Sequence, residues 1–360
     1  MKLKADFTKH TLNFTFVAGT SRGAFTEHNT YFIILQTDSV TGIGECAPLK
    51  GLSPDYRPDL EEKIQEALSK LEGIPVPKDK EGINSIIDKC TPLSFPALRF
   101  GIETALRDVL HGGQRKIFPS IFQGGNFSPV PINGLVWMGD RDFMKQQIDE
   151  KLAQGFDCIK LKIGAIDFTT ELSLLAYIRE NYSADEIIIR VDANGAFSPD
   201  ETPQKLEELA KYDLHSIEQP IATGQWKSLR QLCETTPLPI ALDEELIGIT
   251  DSAQQIELLD TIRPQYIILK PTLLGGLAAT QQWITLAEER NIGWWMTSAL
   301  ESNIGLNAVA QFAAHKKVIV PQGLGTGQLY HNNIPSPLQI REGALHYLPN
   351  QTWDLSLILS

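Results

Sequence analysis

The sequence predicts an α/β protein: a TIM-like (β/α) barrel behind an N-terminal α+β capping domain that the C-terminal tail completes. Three observations carry this reading. From Val130 onward, short apolar runs alternate with amphipathic stretches, the rhythm of parallel βαβ units. Five of those runs end on a charged residue, Lys162, Asp192, Glu218, Asp243 and Lys270. They follow one another in steps of about 25 to 30 residues, one strand and one helix of a barrel. Residues 1–48 instead alternate apolar and polar side chains between turn residues, the pattern of an antiparallel meander. No GxGxxG follows any strand, which argues against a dinucleotide-binding sheet.

Taken in order, Leu12–Val17, Tyr31–Gln36 and Gly42–Glu45 read as the strands of that meander. Helical periodicity follows near 58–72, near 82–90 and at Pro96–Leu110. Barrel strands are expected near 131–136, 158–163, 187–192, 215–218, 239–243, 265–270, 293–297 and 317–320. Helices Thr169–Asn181, Pro203–Lys211 and Leu277–Arg290 lie between them. The tail carries Pro335, Pro337 and Pro349 and a strand-like Trp353–Leu359, and is expected to run back over the first domain. The boundaries read from this are 1–125 for the capping domain, 126–326 for the barrel and 327–360 for the returning segment.

Composition narrows the partners. With 32 Lys and Arg against 44 Asp and Glu, the net charge of −12 speaks against nucleic acid and anionic membranes. Met1–Asp6 has no apolar signal core, and no apolar run is long enough to cross a bilayer. Four separated cysteines without a CxxC pair suit a reduced, cytoplasmic protein. The seven histidines form no HxH or HxxxH, so a zinc site is not expected. The sequence carries no signal for oligomeric state.

Chemistry concentrates at the strand ends. In Cys158-Ile159-Lys160-Leu161-Lys162-Ile163 the period of two puts both lysines on one face and the three residues Ile159, Leu161 and Ile163 on the other. Active sites of (β/α) barrels gather at the C-terminal strand ends, so Lys160, Lys162 and Lys270 should meet Asp192, Glu218 and Asp243 in one pocket. Three hard oxygen ligands with no Cys or His beside them suit Mg²⁺, with Mn²⁺ able to substitute. A lone carboxylate at a strand end is usually a helix cap or a loop ion pair; three on successive strands are not. A metal that can hold a carboxylate, with a lysine on either side, points to proton abstraction α to a carboxylate, and so to a small-molecule carboxylate substrate. The cost of that step is the dianionic enediolate, and cations stand where its charge develops. Lys162 and Lys270, on the second and sixth strands, should face one another.

These segments, with Gly44-Glu45-Cys46-Ala47-Pro48-Leu49, Arg99-Phe100-Gly101-Ile102-Glu103-Thr104-Ala105, Val191-Asp192-Ala193-Asn194-Gly195, Ile217-Glu218-Gln219-Pro220, Leu242-Asp243-Glu244, Leu269-Lys270-Pro271 and Ser298-Ala299-Leu300-Glu301-Ser302-Asn303-Ile304-Gly305, resemble the enolase superfamily in its muconate-lactonising subgroup over nearly the whole length. The resemblance implies an enolase-type barrel. In it Lys162 is the base, Lys160 its supporting lysine, Lys270 the cation on the opposite face, and Asp192, Glu218 and Asp243 the Mg²⁺ ligands. The subgroup member it is most similar to dehydrates 2-succinyl-6-hydroxy-2,4-cyclohexadiene-1-carboxylate to 2-succinylbenzoate in menaquinone biosynthesis. Thr297-Ser298-Ala299 replaces the histidine base of mandelate-racemase-like members. Gly323-Leu324-Gly325-Thr326-Gly327 lacks the Asp-x-Asp of dipeptide epimerases. Racemisation of N-succinylamino acids, or a related epimerisation or cycloisomerisation, would use the same site. A binding protein on a retired barrel would have lost one of the six residues, and none is lost.

Substrate contacts are expected from Arg22 in the Gly19–Gly23 loop, from Arg190, from Asn194, from Ser298, from Glu301 and from the backbone at Gly325. Arg190, two residues before Asp192, faces the lumen either towards a second substrate carboxylate or in a structural ion pair lower down. Asn194 and Glu301 either orient lysines and metal ligands or cap the helices that follow. Gly325 belongs either to an anion-binding turn or to a plain tight turn.

Overall fold

A computed structural model describes residues 1–20, 23–123 and 127–359. The chain opens with a three-stranded antiparallel meander, β1 (Lys4–Thr20), β2 (Gly23–Gln36) and β3 (Thr41–Cys46), paired in the order β1-β2-β3. Helices α1 (Leu60–Leu71), α2 (Lys80–Cys90) and α3 (Pro96–Leu110) cover one face of it. Leu3, Ile33 and Leu35 pack there on Ile64, Leu71, Ile83, Leu98 and Ile102 as one apolar core. The Gly42-Ile43-Gly44 rhythm has a steric cause: a Cβ on Gly44 would stand 1.9 Å from the Gly101 carbonyl oxygen, so α3 can lie on β3 only where the strand has no side chain.

The second body begins with β4 (Val130–Pro131) and β5 (Gly134–Val136). It continues through α4 (Arg141–Ala153), β6 (Cys158–Lys162), α5 (Phe168–Asn181), β7 (Ile188–Asp192), α6 (Thr202–Ala210), β8 (Ser216–Glu218), α7 (Trp226–Thr235), β9 (Ile240–Leu242), α8 (Ser252–Ile262), β10 (Tyr266–Leu269), α9 (Pro271–Leu274), α10 (Leu277–Glu288), β11 (Gly293–Met296) and α11 (Asn303–His315). Seven parallel strands, β5 to β11 in sequence order, form the curled sheet. Ile159, Leu161, Ile189, Val191, Ile217, Leu242, Ile267 and Leu269 pack outward against the helices, in the same core as Leu174, Leu206, Leu258 and Ile284. Asp140, Asp167 and Asp251 cap α4, α5 and α8 with their side chains.

Two expected strands are absent. Residues 317–320 do not form the eighth rung: α11 ends in a left-handed Lys317 (φ 54°), Ile319 is 89% exposed, and Pro321 has no N–H to donate. Single bridges three residues later close the sheet instead, Ile132 to Gln322 and Thr297 to Gly323, so helix termination overrides the β propensity of Val318-Ile319-Val320. Trp353–Leu359 is likewise a turn, with the Ile358 and Leu359 N–H groups both donating to the Leu355 carbonyl at 2.9 Å. The tail strands are β12 (Leu338–Arg341) and β13 (Ala344–Tyr347), an antiparallel pair extended by β4. Beyond them the chain returns to the meander: Ile358 is buried with Phe32, Ile34 and Ile43, and the Thr8 hydroxyl donates to the Ile358 carbonyl at 3.2 Å.

Candidate active site

The register of neighbouring strands builds the site. Lys162 pairs with Asp192 and Asp192 with Glu218, so their side chains share one level at the C-terminal rim of the barrel. The Lys162 ammonium donates to Asp192 Oδ2 at 3.0 Å and to Asn194 Oδ1 at 2.9 Å. The Lys160 ammonium lies 3.0 Å from the same Asp192 oxygen and also donates to Glu218. On the opposite side Lys270 donates to Asp243. All six side chains are 88% or more buried.

Burial penalises the charges of Lys160, Lys270, Asp192 and Glu218, and their neighbours decide the outcome. For Lys160 and Lys270 the adjoining carboxylates, Asp192 and Glu218 for one and Asp243 for the other, outweigh burial and hold the pKa above the ordinary lysine range. Burial is also outweighed at Asp192, which Lys160 and Lys162 keep ionised well below the usual carboxylate range. Glu218 goes the other way: burial, with Asp192 and Asp243 beside it, drives it well above that range.

Among the described residues, no three of His, Cys, Asp and Glu already stand close enough together to enclose a cation. Lysines engage Asp192, Glu218 and Asp243 instead. The donor set nevertheless fits a hard divalent ion: it is all oxygen, Glu218 Oε1 is buried without a hydrogen-bond partner, and mutual repulsion at Glu218 is what a second positive charge would relieve.

A cavity of about 340 Å³ opens over this cluster. Lys160, Lys162, Asp192, Asn194 and Lys270 line its polar side. Phe16, Phe25 and Leu49 from the first body, with Leu135, Trp137, Leu300 and Leu329, form an apolar wall. In that wall Phe16 meets Trp137 edge-on at 5.9 Å. Such a wall suits a flat hydrocarbon ring beside a charged carboxylate end.

The remaining expected contacts divide. Ser298 and Gly325 line the cavity. The Ser298 hydroxyl donates to Glu301 and accepts from the Thr326 hydroxyl at 2.8 Å. Gly325 leads into a short 3₁₀ turn, Thr326–Gln328. Asn194, held left-handed at φ 46°, reaches both ways, accepting from Lys162 and donating to Glu244 Oε1 at 3.0 Å. Glu301 does not line the cavity. It lies fully buried behind Ser298, accepting from the Ala299 N–H at 2.9 Å and from the Thr272 hydroxyl two residues after Lys270. Arg190 is not a wall residue either. It lies one rung lower, pairs in register with Lys160, donates to the Pro321 carbonyl at 2.7 Å and stacks on the Trp295 ring at 3.9 Å. Among the described residues this buried guanidinium is held by an aromatic face and a carbonyl, in place of the structural ion pair that is one of its two sequence readings. Arg22 lies outside the described residues. Sequence reasoning missed Gln219, whose side chain accepts from the Asp243 N–H at 3.3 Å and donates to Glu245 at 3.3 Å, tying two strand ends together. The motif Ile217-Glu218-Gln219-Pro220 was its only signal.

Comparison with known proteins identifies the family. Residues 144–351 match the family described as Enolase C-terminal domain-like. The o-succinylbenzoate synthase of Desulfotalea psychrophila is 48% identical over 95% of this chain and 98% of its own length. A crystal structure of MenC from the same organism superposes with a TM-score of 0.86 at 44% identity, over 96% of this chain and all of that one. The dipeptide epimerase of Enterococcus faecalis, solved with Mg and the dipeptide L-Leu-L-Tyr, shares the fold at a TM-score of 0.83 and 22% identity over 98% of both chains. A family match over more than half of the chain, and a relative this similar over nearly all of it, place the protein in the enolase superfamily, with a barrel of the Enolase C-terminal domain-like family.

Proposed function

We propose that the chain is an o-succinylbenzoate synthase, a hydro-lyase that converts 2-succinyl-6-hydroxy-2,4-cyclohexadiene-1-carboxylate to 2-succinylbenzoate and water in menaquinone biosynthesis. The observation that carries the reading is the 48% identical relative of that name, taken with an apolar-walled cavity into which Lys162 and Lys270 both open. Lys162 takes the proton α to the substrate carboxylate. The electron pair left behind moves into the ring, the C–O bond at the hydroxyl-bearing carbon breaks, and the Lys162 ammonium returns the proton to the departing hydroxide. Water leaves and the ring becomes aromatic, so no redox cofactor is needed. Lys270 stays protonated beside the negative charge that develops on the carboxylate. Asp192, Glu218 and Asp243 would hold Mg²⁺, which when bound supplies a Lewis acid for that carboxylate. Asn194 orients Lys162, and the apolar wall receives the ring. Reduced free cysteines and the lack, among the described residues, of a helix able to cross a membrane support a cytoplasmic setting.

The test is turnover of the cyclohexadiene substrate with Mg²⁺, followed by the absorbance of the aromatic product, in wild type and Lys162→Ala. Wild-type turnover that Lys162→Ala abolishes, with unchanged circular dichroism, is the expected result. A wild-type protein that leaves this substrate untouched yet racemises N-succinylamino acids would replace the proposal with the two-base reading.

A further inference from the structure

The loop Ser298–Ser302 forms part of the cavity wall and is not relaxed. Leu300 sits left-handed at φ 66°, a conformation that a branched side chain avoids unless its surroundings impose it. Three groups from elsewhere in the chain impose it here. The Tyr330 hydroxyl donates to the Leu300 carbonyl at 2.6 Å. Glu301 is tied to Thr272 in α9, which follows Lys270. The third is Glu45, on β3 of the first body, fully buried with all of its partners settled. It accepts from the Ser302 N–H at 2.8 Å, the Ser302 hydroxyl at 2.6 Å, the Gly305 N–H at 2.7 Å and the Thr30 hydroxyl at 2.7 Å. A β carbon on Gly305 would come 3.0 Å from Glu45 Oε2, so the close approach of α11 depends on glycine there.

A carboxylate at the N-terminal turn of α11 satisfies N–H groups that the helix itself leaves open, and favours the positive end of its dipole. Ser302 already caps α11 locally, through its hydroxyl and the Ile304 N–H at 3.1 Å. The helix therefore does not need a second cap to form. What Glu45 adds is a connection between bodies: it fixes the last residue of the strained loop to the meander that also supplies Phe16 and Phe25 to the cavity.

We propose that Glu45 is a positioning residue, a cap supplied in trans by the first domain that holds the Ser298–Ser302 wall in register with the substrate pocket. It touches no reacting atom and acts through Ser302, Leu300 and Ser298. Glutamine is nearly the same shape but a poor substitute. Four donors converge on this carboxylate, two on each oxygen, so whichever oxygen becomes the glutamine NH₂ would face two of them.

Two measurements on Glu45→Gln test this, both well below its melting temperature. Amide hydrogen exchange should quicken at Ala299, Ser302 and Gly305 while β6, β7 and β8 keep wild-type protection. In turnover, KM and the dissociation constant of 2-succinylbenzoate should each rise about tenfold with kcat within about threefold, since wall residues and not the lysines have moved. Combined with Ser298→Ala, the loss in kcat/KM should be smaller than the product of the two single losses, because both act on the same wall. A role in stability alone would lower the melting temperature, leave KM in place and combine multiplicatively with Ser298→Ala; that outcome overturns the proposal. If Glu45→Gln does not fold, Thr30→Val removes one of the four donors and should give the same effects in weaker form. Exchange and KM both within twofold of wild type in Thr30→Val would then count against the role. The turnover arm rests on the proposed function but the exchange arm does not, so a wild type lacking dehydratase activity would refute that function and leave exchange to decide here.

Discussion

Lys160→Met is the most informative single change, because Lys160 stands between two buried carboxylates and has no solvent to fall back on. The side chain is 10% exposed, and its partners Asp192 and Glu218 are 1% and 4% exposed. Methionine keeps the length and apolar stem and removes only the charge. Asp192 would retain the Lys162 ammonium at 3.0 Å, but Glu218 would keep no cation within ion-pair distance among the described residues. Breaking a buried pair by removing one partner costs about 3–5 kcal/mol. Glu218 is already driven up by burial and by Asp192 and Asp243, so it can take a proton and hold the cost near the lower bound. For a chain of 360 residues a loss of about 3 kcal/mol corresponds to a fall in Tm of about 4 °C. The assay is differential scanning calorimetry in chelator and again with excess Mg²⁺. Because the divalent ion would sit on the same oxygens, it should stabilise Lys160→Met more than wild type. A fall in Tm below about 1 °C in chelator, or equal Mg²⁺ gains in the two proteins, would refute the electrostatic account of the cluster.

Lys270→Arg keeps the charge beside Asp243 but cannot act as a base, so it should retain measurable dehydration while losing any racemisation. Lys162→Arg should be inactive in both, and parallel assays on the two variants, each shown to bind 2-succinylbenzoate, decide the matter. Wild type should gain about 2.7 kcal/mol from Mg²⁺ at a hundred times its Kd, a rise in Tm of about 3–4 °C, and Asp243→Asn should lose most of that shift. Burial pushes the Asp55 carboxyl up to about 7, and its Oδ1 is buried without a hydrogen-bond partner, free to carry a proton. The folded chain therefore keeps a proton that the unfolded chain releases from about pH 4 upward, and stability falls as pH rises towards 7, by up to about 4 kcal/mol. Urea melts at pH 5 and pH 8 should show that decline, and Asp55→Asn should flatten it; an unchanged slope in the variant would refute the assignment to Asp55.

The lysines and carboxylates were legible in the sequence because a charge at the end of an apolar run has few places to go in a barrel. Alternation puts Lys160 and Lys162 on the face opposite Ile159, Leu161 and Ile163, and that face is the lumen. The eighth rung was not legible. Gln322 and Gly323 close the sheet through single bridges, and neither residue favours strand, while the β-branched run just before them is spent leaving α11. The strain at Leu300 and the clamp at Glu45 were also invisible, since each is imposed by partners distant in sequence, Tyr330 in one case and Ser302 in the other.

Arg190 shows where periodicity stops being informative. Its phase is that of Asp192, so the sequence correctly assigns it to the lumen, but phase says nothing of height along the barrel. Height comes from register between strands: Lys160 pairs with Arg190 and Lys162 with Asp192, which places the arginine one rung below the level where Asp192 also meets Glu218. At that lower rung the lumen is filled by Trp295, whose ring takes the guanidinium face, and by the Pro321 carbonyl. Lys160 shares the lower rung in the register yet works at the upper one, because a lysine's four-carbon stem lets its ammonium climb to Asp192 and Glu218. Two cations paired across neighbouring strands thus divide the barrel between them, one closing its interior and the other reaching its chemistry.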